Sequence, residues 1–241
     1  MLGIAGIALF ALFAALGTWQ LERRAWKLAL IERVEQRVHA PPVAAPERAQ
    51  WPRVNATDDE YRHVRLTGSF LHDREALVQA STVLGAGHWV LTPLRTVQGS
   101  LVLVNRGFVP PERRERPTRV DNEPAGEVRI TGLLRMTEPR GGFLRHNDPA
   151  ADRWFSRDVQ AIAAARGLEN VAPYFVDIDA TGGAQAGSRW PVGGLTVIAF
   201  HNNHLVYAVT WYALALMVVA AAWLVVRAER SATGARHAAG E

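Results

Sequence analysis

The chain of 241 residues contains no cysteine. That removes disulfide staples, thiolate zinc sites, thiolate copper transfer and cysteine nucleophiles together, and it leaves the redox compartment unmarked. Hydrolase signatures are missing as well: no serine lies in Gly-x-Ser-x-Gly, and no His-Glu-x-x-His occurs. Gly182-Gly183 and Gly193-Gly194 are not followed by a helix at the spacing of a phosphate cradle and read as loop glycines. The net charge of +4 is spread along the chain with no long basic block, too thin and scattered for nucleic acid. The most compact polar cluster, His72-Asp73-Arg74-Glu75, joins two expected strands and reads as a turn without a nucleophile–base pattern. No positive feature argues for an enzyme.

What the chain does have is two apolar runs near its ends. Leu205 to Val226 is 22 residues without a formal charge, at 1.5 Å per residue about 33 Å, enough to cross a hydrocarbon core. Leu2 to Thr18 is 17 residues and about 26 Å, near the lower limit for a span. A cleaved signal peptide would want Lys or Arg before the run and an Ala-x-Ala site after it. Neither is present, so a retained helix is expected, and without an Arg- and Ser-rich leader the expected location is a bacterial plasma membrane. Two spans put both termini on one side and the central domain on the other. Positive-inside counting divides: Arg227, Arg230 and Arg236 follow the second run, whereas Arg23, Arg24 and Lys27 follow the first. Long loops translocate largely regardless of charge, so the second run decides, giving a periplasmic domain and a cytoplasmic tail. The expected organisation is a transmembrane helix over 1–19, a juxtamembrane helix and β-rich domain over 20–200, a second transmembrane helix over 201–227 and a tail over 228–241.

Between the runs, a helical stripe continues through Leu21, Ala25, Leu28, Ile31, Val34 and Val38 until Pro41-Pro42 stops it. Residues 40–57, with four prolines, read as an extended connector. From Tyr61 the period shifts towards two. Strands are expected over Tyr61–Phe70, Glu75–Ala80, His88–Arg95, Leu101–Val109, Val128–Met136, Tyr174–Ile178 and Leu195–Phe200. Arg113 to Pro124 reads as a charged surface excursion. Asp158 caps a short helix over Val159–Arg166, closed by Gly167. The fold class is therefore α+β: two terminal transmembrane helices flanking a mostly antiparallel β domain with one short helix, free to curl into a barrel. Arg106, at the end of its strand, either pairs with a carbonyl or carboxylate of its own domain, the usual fate of such an arginine, or meets an acidic partner.

His204 opens the second apolar run, and Tyr207, Ala208 and Trp211 follow at i+3, i+4 and i+7 on one helical face. A histidine, a phenol and an indole there can hold a flat haem by its iron, which needs one imidazole and an aromatic-walled slot. They serve equally as an interfacial anchor, since such residues populate membrane boundaries for amphipathic reasons. His201 lies three residues before His204, but two ligands are too few for a closed metal site. Arg23, Arg24 and Lys27 suit lipid headgroups or the propionates of a cofactor. Ala8, Ala11, Ala15 and Gly17 keep the first helix narrow enough for close approach.

Three segments, in order, carry a family resemblance. They are Gly17-Thr18-Trp19-Gln20-Leu21-Glu22-Arg23 with Lys27, Leu103-Val104-Asn105-Arg106-Gly107-Phe108-Val109-Pro110, and Asn203-His204-Leu205-x-Tyr207-Ala208-x-Thr210-Trp211. Gly87-His88-Trp89-Val90-x-Thr92-Pro93-Leu94 is a weaker fourth. Together they resemble the Surfeit locus protein 1 family of cytochrome c oxidase assembly factors. The resemblance implies a protein that binds haem a transiently and assists its insertion into oxidase subunit I, with haem a synthase as a further candidate partner and lipid around the helices. It implies His204 as the ligand of the haem iron. His201 lies outside the motif, and Val206 stands where a polar residue is expected. Tyr207 and Trp211 would pack the ring, while Trp19 and Arg23 close its other side. The alternative is a haem-free membrane scaffold that stabilises subunit I during assembly.

Overall fold

A computed structural model describes residues 2–142, 144–180, 190–196, 198 and 202–238. The chain divides into two units, Met1–Arg33 with Ala199–Glu241, and Val34–Ile198. The first is a pair of long helices, α1 (Leu2–His39) continuing past its boundary and α4 (His204–Ala238). Within them Gly3–His39 and His204–Ala228 are long and apolar enough to cross a membrane. Only 6% of the most apolar stretch of each is buried, whereas a helix serving a soluble core would be mostly covered. The helix α1 stops where Pro41 and Pro42 remove two backbone donors.

The second unit is a β domain. After β1 (Val43–Ala44) and a short helix α2 (Ala56–Asp59) come β2 (His63–Phe70), β3 (Ala76–Thr82), β4 (Gly85–Thr96), β5 (Leu101–Val109), β6 (Glu127–Met136), the helix α3 (Val159–Ala165) and β7 (Val171–Ile178). The sheet order is β1-β2-β6-β7-β5-β4-β3, and β2 also pairs with β4. That extra pairing closes β2, β6, β7, β5 and β4 into a five-stranded barrel. All its pairings are antiparallel except β5 with β7, which is parallel. One edge of β2 pairs with β6. Its other edge is shared, β1 taking Val64 and Arg65 and β4 taking Gly68 to Phe70.

Period-two alternation along the strands builds two cores. Val64, Leu66, Leu94, Val102, Val104, Ile130, Leu134, Ala172, Tyr174 and Val176 come from all five barrel strands and fill the interior. The alternate residues Leu103 and Phe175 point outward and, with Ala76, Val78 and Leu91, are covered by Trp154 and by Val159 and Ile162 of α3. With both faces covered, every residue of β5 is buried, which is why its sequence runs apolar rather than alternating. The Asp158 side chain accepts from the Ala161 amide and starts α3; Gly167, at φ +61°, follows its end.

Three expectations change. Residues 40–57 are not simply extended: β1 pairs in parallel with β2, and Arg48–Arg53 forms a 3-10 helix closed by reciprocal Glu47 and Gln50 side-chain bonds. Arg113–Pro124 is not purely a surface excursion, because three 3-10 turns carry Arg119 into the interior, where it makes a bidentate pair with Glu75. Leu195, Thr196 and Ile198 belong to no strand; Thr196 instead spends its hydroxyl on Asp177 at 2.9 Å. The remaining positions of that segment, and Gly182-Gly183, fall outside the described residues.

The β2–β4 seam that closes the barrel needs a position without a side chain, Gly68. A Cβ on Gly68 would lie 2.1 Å from the Arg95 carbonyl oxygen and 2.9 Å from the Thr96 Cα, both backbone atoms that cannot step aside. Gly68→Ala is expected to cost about 1–3 kcal/mol, the ordinary penalty for overpacking. It should appear as a melting temperature lower by several degrees, roughly 2–4 °C per kcal/mol for a domain of this size; an unchanged melting temperature would refute the closure argument.

His63, at the start of β2, donates from Nδ1 to the Ala40 carbonyl at 2.8 Å and from Nε2 to Asp179 at 2.8 Å. Burial pushes its pKa down, but the Asp179 bond and charge and the Ala40 carbonyl outweigh that and raise it above the ordinary 6.5. A raised folded-state value stabilises fully below the unfolded pKa and is lost as pH rises through the folded one. The stability margin of wild type over His63→Gln, measured by denaturant unfolding, should therefore be largest in mild acid and shrink through neutral to alkaline pH. A margin that grows with pH would contradict it.

Candidate functional site

The helix α4 turns a single stripe towards α1. Ala208 and Ala215 are buried, and His204, Trp211 and Tyr212 are half-buried beside them. On α1 the matching stripe is Phe13, Gly17 and Gln20, spaced three and four apart. The contacts run in opposite directions along the two helices, so they pack antiparallel. Phe13 stacks on Trp211 with ring centroids 5.8 Å apart at 24°. Thr18 Oγ1 and the Tyr212 hydroxyl lie 3.0 Å apart. Gln20 Oε1 meets His204 Nδ1 at 2.7 Å.

Gly17 makes this approach possible. A Cβ there would fall 2.9 Å from the Tyr212 ring, so a larger residue makes that ring or the helix behind it give way, in keeping with the small residues found in membrane helix pairs. The narrow approach brings Gln20, itself buried, within hydrogen-bond range of His204. In the neutral imidazole one ring nitrogen donates and the other accepts. With Nδ1–H donating to the Gln20 amide oxygen, the lone pair of Nε2 is left, and among the described residues Nε2 makes no hydrogen bond. A neutral imidazole with one nitrogen held and the other open has the chemistry of a metal ligand. No group of three or more His, Asp or Glu placed to hold a metal ion occurs among the described residues. A haem brings the nitrogens of its own ring to the iron and asks the protein for an axial imidazole.

The remaining candidates sit on the flanks. Trp19 is 50% and Tyr207 54% exposed. Arg23 lies over the Trp19 ring at 6.0 Å and over Trp26 at 4.9 Å, forming a ladder at i, i+4 and i+7. The hydrogen bonds and ring contact joining α1 to α4 pass instead through Phe13, Thr18, Gln20 and Tyr212. Of these, only Gln20 and Thr18 lie in the motif that drew attention to the first helix, and neither was singled out within it. The available signal was spacing: Phe13, Gly17 and Gln20 share a face that Trp19 and Arg23 do not. His201 falls outside the described residues.

The β domain holds a second concentration of polar groups. A cleft of about 380 Å³ is lined by Ser81, Thr82, Trp89, Arg135, Arg157 and Thr196, with Asp177 among them. Buried Asp177 accepts from Asn105, Arg135, Arg157 and Thr196 at 2.8–3.3 Å. Arg135 also pairs with Glu60, and Arg157 with Glu138. Burial alone would raise the Glu138 carboxyl, but Arg157 and then Arg135 hold it below its ordinary value. These charges satisfy one another across three strands, so the cluster braces the barrel. Arg106 does likewise: it is buried, donates to the Asn122 carbonyl at 2.7 Å and to His72 at 3.2 Å, and lies over Phe70. The reading as an intradomain pair holds.

Comparison with known proteins agrees with the resemblance seen in the motifs. A model of the SURF1 family matches residues 7–216. Surfeit locus protein 1 of Homo sapiens is 38% identical over 218 residues, covering 83% of this chain and 69% of the human protein. The protein of that name from Rattus norvegicus is 35% identical over 215 residues, covering 83% and 67%. A SURF1-like protein of Monosiga brevicollis is 34% identical over 224 residues, covering 88% and 82%. The matched stretch takes in Gly17 to Arg23 and His204 to Trp211 alike.

Proposed function

Since the chain belongs to the Surfeit locus protein 1 family, we propose that it is a cytochrome c oxidase biogenesis factor that holds haem a and assists its insertion into oxidase subunit I. The observation that carries the haem part is the Gln20–His204 bond, which occupies Nδ1 of a half-buried imidazole, while among the described residues Nε2 makes no hydrogen bond. In this reading His204 supplies one axial nitrogen to the haem iron. Trp211, already backed by Phe13, presents an aromatic wall, and Tyr207 stands at its rim. Trp19 flanks the site, while Arg23 offers a guanidinium for a propionate, a geometry that bidentate pairing rewards. Single ligation in an open site suits cargo that must be given up. Subunit I is the acceptor, haem a synthase the candidate donor, and lipid the surrounding medium.

The same reading makes both long helices membrane spans, with the β domain on the periplasmic side. Support comes from Arg227, Arg230 and Arg236 after the second helix. It leaves the barrel free to meet subunit loops outside the bilayer.

The test is purification of the full chain from a host that makes haem a, followed by His204→Ala. Losing an outer-sphere partner of a metal ligand typically costs about 10–100-fold in affinity, and losing the ligand should cost at least as much. The variant should fold, reach the membrane and lose nearly all haem a absorbance. A haem spectrum of undiminished intensity and unchanged ligation would remove His204 from the site. Equal recovery of subunit I with wild type from cells unable to make haem a would favour the haem-free scaffold.

A further inference from the structure

Gln20 is the only described side chain that the structure bonds to the His204 ring. A neutral imidazole has two tautomers, and which nitrogen keeps the proton is set by the bond the other environment offers. An acceptor 2.7 Å from Nδ1, on a buried residue where low dielectric strengthens the bond, favours the proton there. We propose that Gln20 is a positioning residue that holds His204 as the Nδ1–H tautomer, so that Nε2 is the nitrogen offered to the haem iron. The loaded part of this proposal rests on the haem a reading of the site; the tautomer part does not.

The choice of an amide has a chemical consequence. A carboxylate at this position would draw the Nδ1 proton towards itself and give the imidazole anionic character, strengthening its donation to iron. The neutral carboxamide oxygen orients the ring with less polarisation. Gln20 therefore sets direction and moderates grip, which is what a carrier needs and a permanent haem site does not. The ring is also fixed from the other helix rather than from its own, so alignment of the ligand depends on α1 and α4 staying together. Gly17 against the Tyr212 ring and the Thr18–Tyr212 contact supply that closeness.

The test uses the full chain, labelled with 15N-histidine and reconstituted in nanodiscs without haem. The His204 signals are assigned by their loss in His204→Ala. In wild type, Nδ1 should carry the proton and Nε2 should give the shift of an unprotonated ring nitrogen. Gln20→Leu should move the proton towards Nε2 and lower haem a content by about tenfold or more, with helix content unchanged. Gln20→Glu should keep the Nδ1–H tautomer, raise the iron–histidine stretching frequency of the loaded protein, and slow haem a transfer to apomyoglobin. A wild-type proton on Nε2, or a Gln20→Leu protein with the wild-type tautomer, overturns the proposal. A Gln20→Glu protein with wild-type stretching frequency and release rate overturns the moderating role. If wild type takes no haem a at all, the haem reading fails, while the apo spectra still decide the role of Gln20.

Discussion

The β domain depends on a backbone crossing. The strand β2 must pair with β6 along one edge and reach β4 at the end of the other, and the barrel closes only because Gly68 has no side chain to strike the Arg95 carbonyl. Closure in turn creates two distinct surfaces. The inward residues of five strands bury one another, and the outward residues Leu103 and Phe175 are left for Trp154 and α3 to cover. Without closure, β2 and β4 would present open edges, and unpaired edges invite association with other chains.

Charge is arranged by the same geometry. Asp177 on β7 is surrounded by Asn105 from β5, Arg135 from β6 and Arg157 from the segment before α3, so neighbouring strands are joined through one buried carboxylate. A charge so enclosed is costly unless fully paired, and here each oxygen has partners. The arginines are further seated on aromatic faces, Arg157 over Phe175 at 4.7 Å and Arg135 over Tyr61 at 4.8 Å. These residues are far apart in sequence, and their type alone gives no reason to connect them.

That separates what was readable in the sequence from what was not. Local rules carried the two long helices, the alternating strands and the Asp158 cap, because each is decided by periodicity or by a side chain bonding its own neighbourhood. They also carried Arg106, whose usual fate is an intradomain bond. They failed where a long-range partner decides the conformation. Val43-Ala44 becomes a strand only because β2 offers it an edge, Arg119 enters the interior only because Glu75 waits there, and Leu195-Thr196 gives up strand pairing while Thr196 binds Asp177. In the helix pair, His204 and Trp211 were visible from motif and spacing. Gln20 was visible only as a letter in a motif, since its meaning comes from a helix 184 residues away in sequence.

The helix pair and the barrel share one device, a glycine that makes room for a neighbour: the Arg95 backbone at Gly68 and the Tyr212 ring at Gly17. Beside Gly17, Gln20 holds one nitrogen of the His204 imidazole, and among the described residues the other makes no hydrogen bond. The claim that this nitrogen serves haem a is tested most directly by titrating haem a into the purified haem-free protein in nanodiscs, with empty nanodiscs as the reference. Saturable binding at a fixed ratio is expected, with the absorption of a histidine-ligated haem a that empty nanodiscs do not produce. Uptake that rises linearly with added haem a and matches empty nanodiscs would contradict it.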